Sequence, residues 1–204
     1  MSTGVVYVVY GEAAYREAVQ SIAALRRWHD WPVAVIGDRV PGTMHLALPR
    51  RDMGGRWAKL NLDRLAPQSW RHILYLDADT RVNGDIAAGF RILDDGWALA
   101  AAYSRNQGQD LMWHVGVEER AATTLQIGNP HPLQIQAGVL FIRRCPQVTA
   151  LFAAWREEWN RWADQDQAAL LRALWRVPVR LWLLSPVWNG GALIAHHFGQ
   201  ARER

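Results

Sequence analysis

The chain has 204 residues, half of them hydrophobic and 21% charged, with a net charge of +4 and a pI of about 9.7. This is the balance of a globular protein with enough chain to bury a core, and one domain spanning residues 1–204 is expected. Cys145 is the only cysteine, which excludes an internal disulfide framework and a cysteine-based zinc site.

In chain order, Val5 to Val9 is an unbroken β-branched and aromatic run, expected as a buried strand that stops at Tyr10-Gly11. Glu12 to Arg27 follows with Ala14, Ala18, Ile22 and Leu25 at helical spacing. Pro32 to Ile36 is a second strand closed by Gly37-Asp38, and Thr43 to Leu48 a short third. Arg56 to Leu65 is expected as one helix with Trp57, Leu60 and Leu65 inward, ended by Pro67. His72 to Leu76 is the next strand, Ile86 to Leu93 a short helix and Trp97 to Ala102 another strand. The segment 104–132 is polar, interrupted by Gly108, Gly116, Gly128, Pro130 and Pro132, and reads as a long loop. Gln136 to Ile142 is a strand, Pro146 to Trp162 and Asp166 to Trp175 are helices, and Val179 to Leu184 is a last strand before a tail. The β-α-β succession predicts an α/β fold with a mostly parallel central sheet flanked by helices and a ligand beyond the strands' carboxyl ends.

The run His72-Ile73-Leu74-Tyr75-Leu76-Asp77-Ala78-Asp79 carries the most information. An apolar strand has no packing reason to end on two carboxylates, and ionised acids avoid burial without a partner. A helix cap or turn explains one Asp there. Two acids straddling one small residue, where the chain bends out of the strand, suit a hard divalent cation. Three further features lie far off in sequence. Gln136-Ala137-Gly138 begins a strand with a glycine that permits close backbone approach. Asp164-Gln165-Asp166-Gln167 opens a helix with more polar chemistry than a cap requires. His196 is followed by Gly199 and Arg202, with His197 as its competitor for any role.

Lys59 is the only lysine, so the positive charge is almost all arginine. The pairs Arg26-Arg27, Arg50-Arg51 and Arg143-Arg144 are scattered, so an anionic small molecule or a generic surface accounts for them at least as well as nucleic acid does. Twelve tryptophans are unusual for this length. Trp155, Trp159 and Trp162 have the spacing of one helix face and are expected in the core, whereas Trp113 and Trp188 sit in loop-like surroundings where an indole could stack on a sugar. No run approaches the ~20 apolar residues of a membrane span, and Met1 to Gly4 lead into a strand without a basic leader, so no integral membrane segment and a cytoplasmic location are expected.

Arg56-Trp57-Ala58-Lys59-Leu60, Leu65-Ala66-Pro67 and Ile73 to Val82 together resemble the central block of family 8 glycosyltransferases, the glycogenin and bacterial lipopolysaccharide galactosyltransferase group. Gln136-Ala137-Gly138-Val139, Asp166-Gln167 and His196-x-x-Gly199-x-x-Arg202 resemble that family's later motifs in the same order. The resemblance implies a GT-A (Rossmann-like) fold and a metal-dependent, retaining hexosyltransferase. It implies Mn²⁺ or Mg²⁺ as cofactor, a UDP-sugar donor, and an acceptor of unknown class: a glycan, a protein or a modified nucleic acid. Carried over residue by residue, Asp77, Asp79 and His196 would hold the metal. Lys59, Ala78, Gln136, Ala137, Gly138, Gly199 and Arg202 would contact the donor, whose base would lie near Val8, Tyr10 and Tyr15. Asp166 and Gln167 would stand at the reacting carbon.

Gln136 replaces the family's asparagine and Arg202 its lysine, and the chain lacks the family's basic C-terminal extension. Two other readings stay open: a sugar nucleotidyltransferase, and a basic binding protein on an inactive transferase scaffold. The first wants a glycine- and arginine-rich loop after the first strand, which Tyr10-Gly11-Glu12-Ala13-Ala14-Tyr15 does not supply.

Overall fold

A computed structural model describes residues 2–48, 54–104, 115–129, 131–163 and 165–201. Strand β1 (Thr3–Val9) sends Val5, Tyr7 and Val9 into one core and Val6 and Val8 into another, one on each face of the sheet. Both faces are covered, which is why the strand reads as an unbroken apolar run. Helix α1 (Glu12–Arg26) buries Ala14, Ala18, Ile22 and Leu25 against the first face, as its spacing predicts. Strands β2 (Val33–Gly37) and β3 (Met44–Leu46) add in parallel.

The single helix expected over 56–65 is two, α2 (Gly54–Leu60) and α3 (Leu62–Leu65). Asn61 lies between them, and its side-chain amide donates to the Trp57 carbonyl at 2.8 Å. Local side-chain bonding of this kind competes with the helical ladder. Trp57, Leu60 and Leu65 still pack into the second core.

The chain continues through β4 (His72–Leu76), β5 (Thr80–Val82), α4 (Ala88–Asp94), β6 (Leu99–Tyr103), α5 (Val117–Ile127) and β7 (Ile135–Arg143). Then come α6 (Pro146–Asn160), α7 (Asp166–Arg176), β8 (Leu181–Leu184), a short 3-10 turn at Pro186–Trp188, and β9 (Ile194–His196). The main sheet has seven strands in the order β3-β2-β1-β4-β7-β6-β8. Its neighbours run parallel except at β7, which is antiparallel to both β4 and β6. The predicted α/β class with a mostly parallel sheet is therefore what the chain adopts.

Three further elements were not expected from sequence. Part of the segment expected as a loop is helix α5, and β5 and the tail strand β9 pair antiparallel in a separate two-stranded sheet. Among the tryptophans, Trp155 is buried and Trp159 packs on the core, but Trp162 lies beyond the end of α6 and is exposed. Trp188 packs edge-on against Phe141 at 5.7 Å, so it serves the core and is not a free stacking surface; Trp113 lies outside the described residues. Among the described residues no helix is long and apolar enough to cross a membrane.

Candidate active site

The order of strands reverses between β1 and β4, so the chain leaves their carboxyl ends in opposite directions and opens a crevice there. Because β7 is antiparallel, its amino-terminal end meets the carboxyl end of β4: the Asp77 amide donates to the Gly138 carbonyl at 2.8 Å. A cleft of about 770 Å³ lies over this junction.

Asp77, Asp79 and His196 converge in it, each offering a ligand atom within 4.8 Å of the others. His196 Nε2 is 3.0 Å from Asp79 Oδ1 and 3.7 Å from Asp77 Oδ2. The histidine arrives by way of β9, whose register sets His196 opposite Thr80. The next residue, His197, is exposed and contributes its backbone amide to the Asp79 carbonyl at 2.9 Å, so the tail selects His196 over His197. Burial raises the Asp79 pKa, but the hydrogen bond and charge of His196 and backbone amides outweigh it and hold the carboxyl below its ordinary range.

The donor set fits a hard divalent cation. His196 Nδ1 is 2.7 Å from the side-chain oxygen of Asn189. An amide oxygen only accepts, so Nδ1 carries a proton; Nε2, which bonds Asp79 in the absence of an ion, is the nitrogen left to offer its lone pair to one. Two carboxylates converging with one imidazole call for a positive charge among them, and this donor set suits Mn²⁺ or Mg²⁺ chemistry. Gly138 forms the floor. A methyl group there would sit 2.7 Å from Asp77 Oδ2 and collide with the His196 ring. Gly138→Ala is expected to displace His196, lowering Mn²⁺ affinity roughly 10–100-fold while circular dichroism stays native; calorimetric titration checks it.

A second polar group holds the aspartate turn from beneath. The Thr80 hydroxyl and amide both donate to the Asp77 carbonyl, at 2.8 and 3.1 Å. Thr80 Oγ1 also lies 3.2 Å from the Ser21 hydroxyl, which donates to the Tyr7 hydroxyl at 3.1 Å. All three side chains are buried. Thr80→Val keeps the shape and orphans this chain, so a loss of about 1–3 kcal/mol of stability is expected in urea unfolding.

Lys59 is buried against the opposite wall, 2.7 Å from Asp166 Oδ2 and 3.3 Å from Asp77 Oδ1. Burial lowers the Lys59 pKa, but the charges of Asp166 and Asp77 outweigh it, so the group stays an ammonium. Asp166 is the mirror case: burial raises its pKa, and the Lys59 charge outweighs that and holds the carboxyl low. The Tyr75 hydroxyl donates to Asp77 Oδ1 at 2.5 Å, and burial together with that carboxylate pushes the phenol well above its usual range. Asp166 sits in the first turn of α7, anchored by the Trp155 indole, which donates to its carbonyl at 2.7 Å. Gln167 donates to the side-chain oxygen of Gln134 at 2.9 Å.

Of the residues singled out from sequence, Val8, Tyr10, Lys59, Asp77, Ala78 and Asp79 line the cleft from the first half of the chain. Gln136, Ala137, Gly138, Asp166, Gln167, His196 and Gly199 line it from the second. Tyr15 is not among the lining residues; it lies within α1 and packs on the core. Arg202 and Asp164 lie outside the described residues. Sequence reasoning missed Tyr75, Ser104, Gln134, Phe198 and Asn189. Only Tyr75 had a local signal, standing two residues before Asp77 and so on the same face of the strand.

No family model matches the sequence, and no curated protein matches it. Solved structures do. The fold is similar to mouse xyloside xylosyltransferase 1 in its apo form, with a TM-score of 0.63 and 10% identity over 99% of each chain. It is similar to the galactosyltransferase LgtC, in a complex with donor and acceptor sugar analogues, with a TM-score of 0.58 and 17% identity over 90% of this chain and 73% of that one. The glycosyltransferase GlyE of Streptococcus pneumoniae TIGR4 matches with a TM-score of 0.61 and 17% identity over 93% of this chain. The chain spans 47% of the length of GlyE. The architecture is therefore the GT-A glycosyltransferase fold, in agreement with the family 8 resemblance read from the motifs.

Proposed function

We propose that the chain is a metal-dependent glycosyltransferase that moves a hexose from a UDP-sugar to an acceptor hydroxyl with retention of anomeric configuration, acting as one domain over 1–204. The observation that carries this reading is the convergence of Asp77, Asp79 and an oriented His196 over Gly138 in the cleft of a GT-A fold. LgtC, of the same fold, is known with donor and acceptor sugar analogues bound.

Asp77, Asp79 and His196 would hold a divalent ion, whose Lewis acidity would offset the charge left on the departing nucleotide. The protein's own groups account for the rest. Lys59, kept cationic in a buried position, adds positive charge beside Asp77. Tyr75 fixes the carboxylate of Asp77 so that one oxygen remains directed at His196. Asp166, held ionised by Lys59, is a weak base, suited to accepting hydrogen bonds from sugar hydroxyls. Gln167, held by Gln134, adds a neutral amide to the same wall. With Asp166 so weak a base, the departing phosphate is the better acceptor for the proton of the attacking hydroxyl, as same-face attack with retention would require.

The test is UDP release from a panel of UDP-sugars, with Mn²⁺ and with a chelator. Turnover or slow hydrolysis of at least one donor, lost on chelation, is expected; a folded protein silent with every common donor sinks the reading. Pyrophosphate release from a nucleoside triphosphate and a sugar phosphate would identify a nucleotidyltransferase instead. Salt-sensitive nucleic acid binding without metal-dependent donor binding would identify a basic binding protein on an inactive scaffold.

A further inference from the structure

Asn189 is fully buried, and while its side-chain oxygen meets His196 Nδ1 at 2.7 Å, its side-chain nitrogen has no hydrogen-bond partner among the described residues. A leucine of the same size would fill the space without stranding an amide, so packing gives no reason for this residue. Its position is built with care. The 3-10 turn Pro186–Trp188 ends on it, with the Asn189 amide donating to the Pro186 carbonyl at 3.1 Å. The loop then folds back through Gly190, whose φ of 89° suits glycine, and the Gly190 and Gly191 amides both donate to the Ile194 carbonyl at the start of β9. That fold-back sets residue 189 beside residue 196.

We infer that Asn189 is a positioning residue for the ion site: it holds the His196 proton on Nδ1 and so presents the Nε2 lone pair to the space shared with Asp77 and Asp79. The inference rests on the proposed ion site and adds a residue outside its ligand set. An imidazole has one proton to place when neutral, and the partner of one nitrogen decides the role of the other. Without an acceptor at Nδ1 the proton is free to move to Nε2, where Asp79 Oδ1 at 3.0 Å would accept it and close the ligand position. An acceptor at residue 189 competes for that proton and favours the neutral ring with Nε2 open to an ion.

Mn²⁺ affinity of the full chain, read from the electron paramagnetic resonance signal of the free ion, tests this. Asn189→Leu is expected to bind Mn²⁺ roughly ten- to hundredfold more weakly, and Asn189→Asp, which still accepts the Nδ1 proton, to bind it at least as well as the wild type. On a His196→Ala background, Asn189→Leu is expected to add less than about a twofold change, since its effect passes through the imidazole. In the wild-type protein loaded with Mg²⁺, the ring nitrogen resonances of His196 should show the proton on Nδ1, a readout that needs no variant to fold. Unchanged affinity in Asn189→Leu overturns the assignment. So does an equal loss on the His196→Ala background, an Asn189→Asp as weak as the leucine variant, or a proton found on Nε2. A wild-type protein that binds neither ion overturns the ion site as well, which separates that failure from one confined to Asn189.

Discussion

Asp79→Asn is expected to lower turnover at least about a thousandfold, equivalent to ~4 kcal/mol, while the melting temperature moves by only a few degrees. The two halves of this expectation have different causes. Asp79 is 4% exposed, and its carboxylate is the group closest to His196 Nε2. Asparagine has the same shape, so the turn and its backbone bonds persist, including the His197 amide on the residue 79 carbonyl. What is lost is one negative charge and one anionic ligand, which removes the site's hold on a divalent ion. Turnover assays paired with Mn²⁺ titration and thermal unfolding check the result. A variant that keeps full activity would remove Asp79 from the ligand set.

Arg172→Met is expected to cost about 3–5 kcal/mol of stability. Arg172 is 1% exposed yet charged, and acceptors from three residues surround it. It reaches Glu158 on α6 at 3.1 Å, and on α5 it reaches Glu119 at 2.9 Å and the Thr123 hydroxyl at 2.7 Å. Removing it takes the Arg172 cation from the buried Glu119 carboxylate, whereas Glu158 keeps Arg176 at 2.7 Å. Burial raises the Glu158 pKa, and the hydrogen bonds of Arg176 and Arg172 outweigh it, so the carboxyl lies below its ordinary range. A carboxyl depressed by folding adds stability above its unfolded pKa of about 4.3 and loses it as pH falls through the folded value. The variant should therefore unfold at a higher pH on the acid side than the wild type. Urea unfolding at neutral and acid pH measures both effects, and joint replacement of Glu119 by leucine should recover part of the loss.

Helix α5 shows why part of the fold escaped the sequence. Its buried face is Glu119, Thr123 and Ile127, a helical spacing hidden because two of the three are polar. A reading by hydrophobic period assigns Glu to solvent, and the Arg172 cation that meets it at 2.9 Å comes from some fifty residues on. Strand β9 failed for a related reason. Three residues have no intrinsic signal, and their geometry comes from pairing with β5. The acidic end of β4, the glycine of β7 and the Asp-Gln start of α7 were legible because each breaks a local rule: charge after an apolar strand, no side chain inside a strand, more polarity than a cap needs.

The amino-acid order alone determined the α/β class, the main strands and helices and the residue types able to hold a cation, since these follow from local periodicity and from the cost of stranding charge in an apolar run. Tertiary structure alone decided which histidine joins Asp77 and Asp79, that Asn189 meets its Nδ1, and that Lys59 stands between Asp77 and Asp166. Those outcomes depend on the reversed direction of β7 and the register of β9 on β5, and register is set by long-range pairing that no short window of sequence contains.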